Sequence, residues 1–210
     1  MTHSPASRPQ EIAVFDFDGT LIRCDSLPDF LIHACGWRAF LCRMPLMLLM
    51  KAAAVLRLLP AGRAKERIFS SFFCGMDYSE FLHRCRRYAL RIPQLLRPGA
   101  AEAIERHRQR GARLLIVSAS LPQWIRPWAE TAGFTEVIGT EPEVQNGRLT
   151  GRFATPNCKG PEKVRRFLEK VPHFSEFALH VYGDSASDKP LLALARFPHY
   201  KPFRQKTPNP

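Results

Sequence analysis

Ten residues near the start of the chain, Ile12-Ala13-Val14-Phe15-Asp16-Phe17-Asp18-Gly19-Thr20-Leu21, constrain the fold more than any other stretch. Their apolar run lacks strict alternation, so it predicts a strand buried on both faces. It ends in two aspartates two residues apart, and that spacing lets Asp16 and Asp18 point the same way. Two ionised carboxylates side by side repel each other, and a cation between them relieves the repulsion. Oxygen ligands of this kind suit Mg²⁺. Gly19 permits a tight turn, and Thr20 brings a hydroxyl toward the same point. The same letters also spell a strand running into an ordinary Asp-Gly turn, so the rest of the chain has to decide.

Beyond this strand, residues 27–92 change character, and helical patterns dominate. Phe81, Leu82, Cys85, Tyr88 and Ala89 recur at helical spacing, with Arg84, Arg86 and Arg87 on other faces. Another helix is predicted over about 61–74. Two prolines and a glycine within residues 93–99 mark a boundary. Strands and helices then alternate: a helix over 100–110, a strand over 113–117 ending in Ser118, and a helix over 122–132. A short strand near 137–140 follows, then a hairpin turning at Asn146-Gly147. A helix starts at Pro161, and a strand over 177–182 runs into Gly183-Asp184 before a helix containing Leu191 and Leu192. Alternation of this kind implies an α/β fold with a mostly parallel sheet covered on both faces. Ligands of such sheets sit beyond the carboxyl ends of the strands, where Asp16, Asp18, Ser118 and Asp184 all fall. The expected organisation is a core of residues 11–24 and 94–200, an all-helical cap of residues 25–93 inserted after the first strand, and loose tails at 1–10 and 201–210.

With 45% hydrophobic residues over a length of 210, the chain can bury a core and is not a disordered one. Its net charge of +12 favours an anionic partner: a phosphate substrate, an acidic membrane surface or nucleic acid. The six cysteines (24, 35, 42, 74, 85 and 158) show no zinc spacing and read as reduced, mostly buried thiols of a cytoplasmic protein. Residues 1–10 lack the apolar core of a signal peptide. The histidines form no metal spacing and read as structural, while Arg84, Arg86, Arg87 and Arg91 read as a solvated helix face.

Four motifs stand in order: Asp16-Phe17-Asp18-Gly19-Thr20, Ser118-Ala119-Ser120, a lysine at 159 or 163, and Gly183-Asp184-Ser185-Ala186-Ser187-Asp188. Together they resemble the haloacid dehalogenase superfamily of aspartate-nucleophile phosphohydrolases, over residues 12–195. The resemblance implies a Rossmann-like, doubly wound sheet with a helical cap. It makes Asp16 the nucleophile that becomes an aspartyl phosphate, and Asp18 the general acid and base. It places Mg²⁺ on the Asp16 side chain, the Asp18 carbonyl and Asp184, with Asp188 as a further ligand or a support. Ser118, with Ala119, would meet the phosphoryl group, and Thr20 would sit at the same loop. Lys159 and Lys163 share a helical face, and either could bridge nucleophile and phosphate.

The helical insertion resembles the subgroup that includes phosphoserine phosphatase and phosphatidylglycerophosphatase C. Where phosphoserine phosphatases carry a Glu that reads the substrate's amino group, this chain has Asp25. Residues 44–59 are apolar except for Lys51 and Arg57, too short and too charged for a conventional membrane span. On a helix those two charges lie about 120° apart, leaving a wide apolar arc. Such a helix can either lie in an anionic membrane interface or bury itself in the cap. Arg63 and Arg126 are the arginines expected at the substrate, and Trp124 could line its pocket. The expected activity is Mg²⁺-dependent hydrolysis of a phosphomonoester, either a lipid phosphate such as phosphatidylglycerophosphate or a small metabolite. Transfer to an acceptor other than water would use the same groups. A basic membrane- or nucleic-acid-binding module without catalysis would show a broken motif, and none is broken, so nucleic acid is not the expected partner. The protein is expected in the cytoplasm, with contact at the inner face of the membrane.

Overall fold

The computed structural model describes residues 10–204. The first strand, β1 (Glu11–Phe15), is followed by α1 (Ser26–Cys35), α2 (Trp37–Val55), α3 (Ala61–Phe73), α4 (Tyr78–Ala89) and the short α5 (Ile92–Leu95). The alternating part contains α6 (Ala100–Gln109), β2 (Arg113–Val117), α7 (Pro122–Thr131) and β3 (Glu136–Ile138). Then come β4 (Pro142–Gln145), β5 (Arg148–Phe153), α8 (Pro161–Lys170), β6 (Ala178–Gly183), α9 (Lys189–Leu192) and β7 (Phe197–Tyr200). Five strands form one sheet in the order β3-β2-β1-β6-β7, every neighbouring pair parallel. Val14 lies opposite Leu115 on one side and Val181 on the other, so β1 is the central strand. Its residues Ile12, Ala13, Val14 and Phe15 are fully buried, as an apolar run covered on both faces requires.

Local chemistry starts and stops the helices where the sheet needs them. The Asp25 carboxylate accepts the Leu27 N–H at 3.0 Å and caps α1. Asp77 accepts the N–H groups of Ser79 and Glu80 at the start of α4. The β4–β5 hairpin turns at Asn146 and Gly147, both at positive φ, the backbone a type I′ turn requires. It lies against the helices: the N–H groups of Gly75 and Tyr78 donate to the carbonyls of Leu149 and Gly147 at 2.8 Å.

One hydrophobic cluster runs from the sheet into the helical insertion. Phe30 of α1 stacks on Trp124 of α7 at 4.6 Å, and Phe69, Phe73, Phe81 and Tyr88 close around the same ring system. A second cluster packs α8 and α9 on the opposite face. By contrast α2, though largely apolar, buries only Met50 among its 19 residues. Leu48 is 62% exposed and Val55 79%. No helix of the described residues is long and apolar enough to cross a membrane.

Several expectations need correction. The edge strand β7 is not legible in the sequence, because Pro198 in so short a run argues against a strand; an edge position tolerates the missing N–H. Residues 201–204, expected to be loose, pack on the core: the Lys201 N–H donates to the Gly183 carbonyl at 2.8 Å, and Phe203 lies parallel to Tyr182. The rest of the two expected tails, 1–9 and 205–210, lies outside the described residues. Only Cys85 and Cys158 of the six cysteines are buried, and none is paired. Arg84 and Arg91 are not simply solvated: Arg84 donates to the Ala34 carbonyl at 2.8 Å, tying α4 to α1, and Arg91, just before α5, makes a two-pronged pair with Asp29 of α1, both contacts at 2.9 Å. His107 and His180 pack around Glu11 at the amino end of β1, away from the strand ends that carry the motifs.

Candidate active site

The carboxyl ends of β1, β2 and β6 bring Asp16, Ser118 and Asp184 to one edge of the sheet. The Asp16 N–H still donates to the Tyr182 carbonyl at 2.9 Å, so its backbone belongs to the ladder and its side chain is aimed by it. One Asp16 oxygen accepts the Lys163 ammonium at 2.5 Å, and the other accepts the Thr20 hydroxyl at 3.0 Å. Lys163, near the start of α8, also donates to Asp188 at 2.7 Å. The second oxygen of Asp188 accepts the Ser185 hydroxyl and the N–H groups of Ser185 and Asp184. Both its oxygens are thus spent on Lys163 and the loop.

Asp18 is held separately. One oxygen accepts the Ser26 N–H at 2.7 Å, and the other accepts the Ser120 hydroxyl at 2.5 Å. Ser118 Oγ accepts the Ser120 N–H at 3.1 Å. The Ala119 carbonyl takes the ammonium of Lys65, reaching over from α3, at 2.8 Å.

Electrostatics separate the two aspartates. Burial pushes the Asp16 carboxyl up to about 7, against the pull of Lys163. Burial and then the neighbouring Asp25 raise Asp18, while its bonds from Ser120 and Ser26 oppose them. Burial would lower the Lys163 ammonium, but the charges of Asp16 and Asp188 outweigh it and hold it above its ordinary value. Oxygen atoms of Asp16, Asp184 and Asp188 lie within 4.8 Å of one another, an all-carboxylate donor set suited to a hard divalent cation.

A cavity of about 830 Å³ opens over these groups. Asp16, Asp18, Asp25, Ser118, Ala119, Lys159, Lys163 and Asp184 all line it. Five expected residues do not. Thr20 is 1% exposed with its hydroxyl committed to Asp16, and Asp188 sits behind Lys163. Arg63 points into solvent and pairs with Glu66 at 2.9 Å. Residues two positions apart on a helix lie about 200° apart around its axis, so the cation that α3 turns to the site is Lys65, not Arg63. Arg126 lines a different cavity beside Glu141, and Trp124 is fully buried, its indole N–H on Ser26 Oγ at 3.3 Å. Besides Lys65, sequence reasoning missed Ser26, Ser120, Arg204 and Arg97, which lines the cavity and donates to the Gly19 carbonyl at 2.7 Å. Ser120 lay inside a motif already noted, whereas Arg204 carried no signal at all.

A family model, that of the haloacid dehalogenase-like hydrolases, matches residues 13–193. The chain belongs to that family. As a haloacid dehalogenase-like hydrolase it is 31% identical over 218 residues to protein CicA of Caulobacter vibrioides, covering 98% of this chain and 90% of that one. It is 26% identical to a histidinol-phosphatase of Neisseria meningitidis, covering 90% of this chain and 89% of the relative. Among solved structures, a protein with unknown function from Bordetella pertussis Tohama I superposes with a TM-score of 0.72 at 26% identity, covering 88% of this chain and 86% of that one.

Within this hydrolase, Gly19 sits where a side chain would collide. Its φ is +80°, and a Cβ there would lie 2.7 Å from Asp184 Oδ2. Gly19→Ala is expected to destabilise the fold by roughly 1–3 kcal/mol through backbone strain. Turnover should fall by about a hundredfold, because the displaced carboxylate belongs to the site. Denaturant melts and steady-state kinetics on the same preparation check both figures.

Proposed function

We propose that the protein is a Mg²⁺-dependent phosphomonoester hydrolase that works through an aspartyl phosphate on Asp16. The observation that carries this reading is the division of labour between two carboxylates. Asp16 is clamped by Lys163 and Thr20 at the strand end, while Asp18 hangs from Ser26 and Ser120 with a raised pKa. An Asp16 oxygen attacks phosphorus as the bond to the leaving oxygen breaks, and Asp18 gives that oxygen its proton. Water then attacks phosphorus and loses a proton to Asp18, which frees phosphate and regenerates Asp16. Lys163 neutralises the charge gathered around Asp16, and Ser118 donates to a phosphoryl oxygen. Asp16, Asp184 and the Asp18 carbonyl would hold Mg²⁺, which would supply further neutralisation of the phosphoryl oxygens. Asp188 acts by holding Lys163 and the loop. Lys159, exposed at the rim, contributes charge only.

The helices of residues 25–93 serve as the cap and choose the substrate. Phe40, Met44, Met47, Leu48 and Ile68 form an apolar wall to the same cavity that holds the carboxylates. That wall suits a lipid phosphate such as phosphatidylglycerophosphate better than a wholly polar metabolite. Between Asp29 and Glu66 the chain has no acidic residue and six basic ones (Arg38, Arg43, Lys51, Arg57, Arg63 and Lys65). Around the exposed apolar residues of α2, this charge suits contact with the anionic inner face of a membrane from the cytoplasm. A second reading, a small amino-alcohol or amino-acid phosphate, is favoured by the histidinol-phosphatase relative.

Phosphate release from phosphatidylglycerophosphate, histidinol phosphate and phosphoserine, with Mg²⁺ and with chelator, is the test. The lipid is expected to be turned over at least about tenfold faster, and preference for a small phosphate would discard the lipid reading. In sedimentation with anionic vesicles at low salt, the protein should pellet, and Leu48→Glu with Leu49→Glu should stay in the supernatant. A wild-type protein that fails to pellet there would remove the membrane from the proposal.

A further inference from the structure

We infer that Arg204 is a resident counter-ion of Asp184 that the metal must displace, so that this residue sets the enzyme's metal affinity. Arg204 Nη2 lies 2.6 Å from Asp184 Oδ2. The carboxylate is nearly buried, with a side chain 10% exposed, whereas the arginine is 48% exposed and can leave. Of the three clustered carboxylates, Lys163 covers Asp16 and Asp188 only. The cation on the third comes from a different part of the chain.

Arg204 is placed there by the fold. The chain leaving β7 stays tied to the sheet through the Lys201 N–H on the Gly183 carbonyl at 2.8 Å. Phe203 then lies parallel to Tyr182, with ring centroids 5.6 Å apart. A Cβ on Gly99 would touch the same ring at 3.6 Å, so the phenyl is wedged between the sheet and the start of α6. The next residue is thereby delivered to the mouth of the cavity, which Arg204 lines.

Charge balance gives the direction of the effect. Three carboxylates with Lys163 and Arg204 sum to −1. A bound divalent cation with both basic residues in place would sum to +1, and release of Arg204 restores neutrality. Metal binding and the Arg204–Asp184 pair are therefore in competition. Arg204 is a positioning residue here, acting through Asp184.

The inference rests on the reading of this site as a Mg²⁺ site, and the experiment keeps the two apart. Mg²⁺ is titrated calorimetrically into the full-length wild type, Arg204→Gln, Arg204→Lys and Asp184→Asn. Arg204→Gln is expected to bind Mg²⁺ about two- to fivefold more tightly, the range for a solvent-accessible ion pair, with Arg204→Lys close to wild type. The gap should shrink at high salt. Without metal Arg204→Gln should melt below wild type, and saturating Mg²⁺ should close the difference. An unchanged or weaker affinity in Arg204→Gln, beside a wild type that binds and an Asp184→Asn that does not, overturns the role of Arg204. If wild type and Arg204→Gln both give no binding, the metal reading itself fails and the inference goes with it.

Discussion

Asp16→Asn is expected to reduce phosphate release by at least about 10⁴-fold and to leave the fold standing. The amide keeps the shape of the carboxylate but offers no nucleophilic oxygen, so no phosphoenzyme should be trapped by acid quench. Stability should change little, because two effects oppose each other. The substitution removes a carboxylate that burial has pushed up to about 7, which is relief. It also takes one partner from Lys163, but Asp188 at 2.7 Å remains. Melts and kinetics of Asp16→Asn, with Asp18→Asn alongside, would separate the two aspartates. Asp18→Asn should still form the phosphoenzyme from an aryl phosphate, whose leaving group needs little protonation, and then hydrolyse it slowly. Retained turnover in Asp16→Asn would mean that the nucleophile lies elsewhere.

The second large effect concerns Lys163. Lys163→Met leaves Asp16 and Asp188 buried together with no cation between them. Breaking a buried pair from one side costs about 3–5 kcal/mol, far more than a surface substitution. Lys163→Met should therefore lose both activity and a large part of its stability in urea titrations. Mg²⁺ should restore some stability, since it brings positive charge to the same carboxylates. Lys159→Ala is the contrast: that residue is exposed, so its stability should shift by no more than ~0.5 kcal/mol and turnover only a few-fold. A silent Lys163→Met beside a dead Lys159→Ala would reverse the assignment of the two lysines.

What could be read from the sequence was the chemistry at strand ends. Asp16, Ser118 and Asp184 each follow an apolar run, and a parallel sheet must bring the carboxyl ends of such runs to one edge. Helix rotation was not readable. Arg63 and Lys65 look alike on paper, and only the packing of Ala64, Ile68 and Phe69 turns Lys65 toward the Ala119 carbonyl. Thr20 sat in the right loop, but its hydroxyl is turned back to Asp16 rather than out to the cavity. The apolar run of α2 was compatible with burial or exposure, a question of tertiary placement that periodicity cannot answer. Arg204 was the least accessible, because its position depends on an edge strand hidden by Pro198.

The stack of Phe30 on Trp124 has a consequence for how this enzyme can diversify. Since a single apolar cluster spans the sheet and the inserted helices, the insertion is not a detachable module. Excising it would strip the cover from α7 and leave an aromatic wound on the remaining half. A chimera carrying a foreign cap would have to match that contact ring for ring. New specificities in this fold should accordingly arise by exchanging residues along α2 and α3, leaving the aromatic stack untouched.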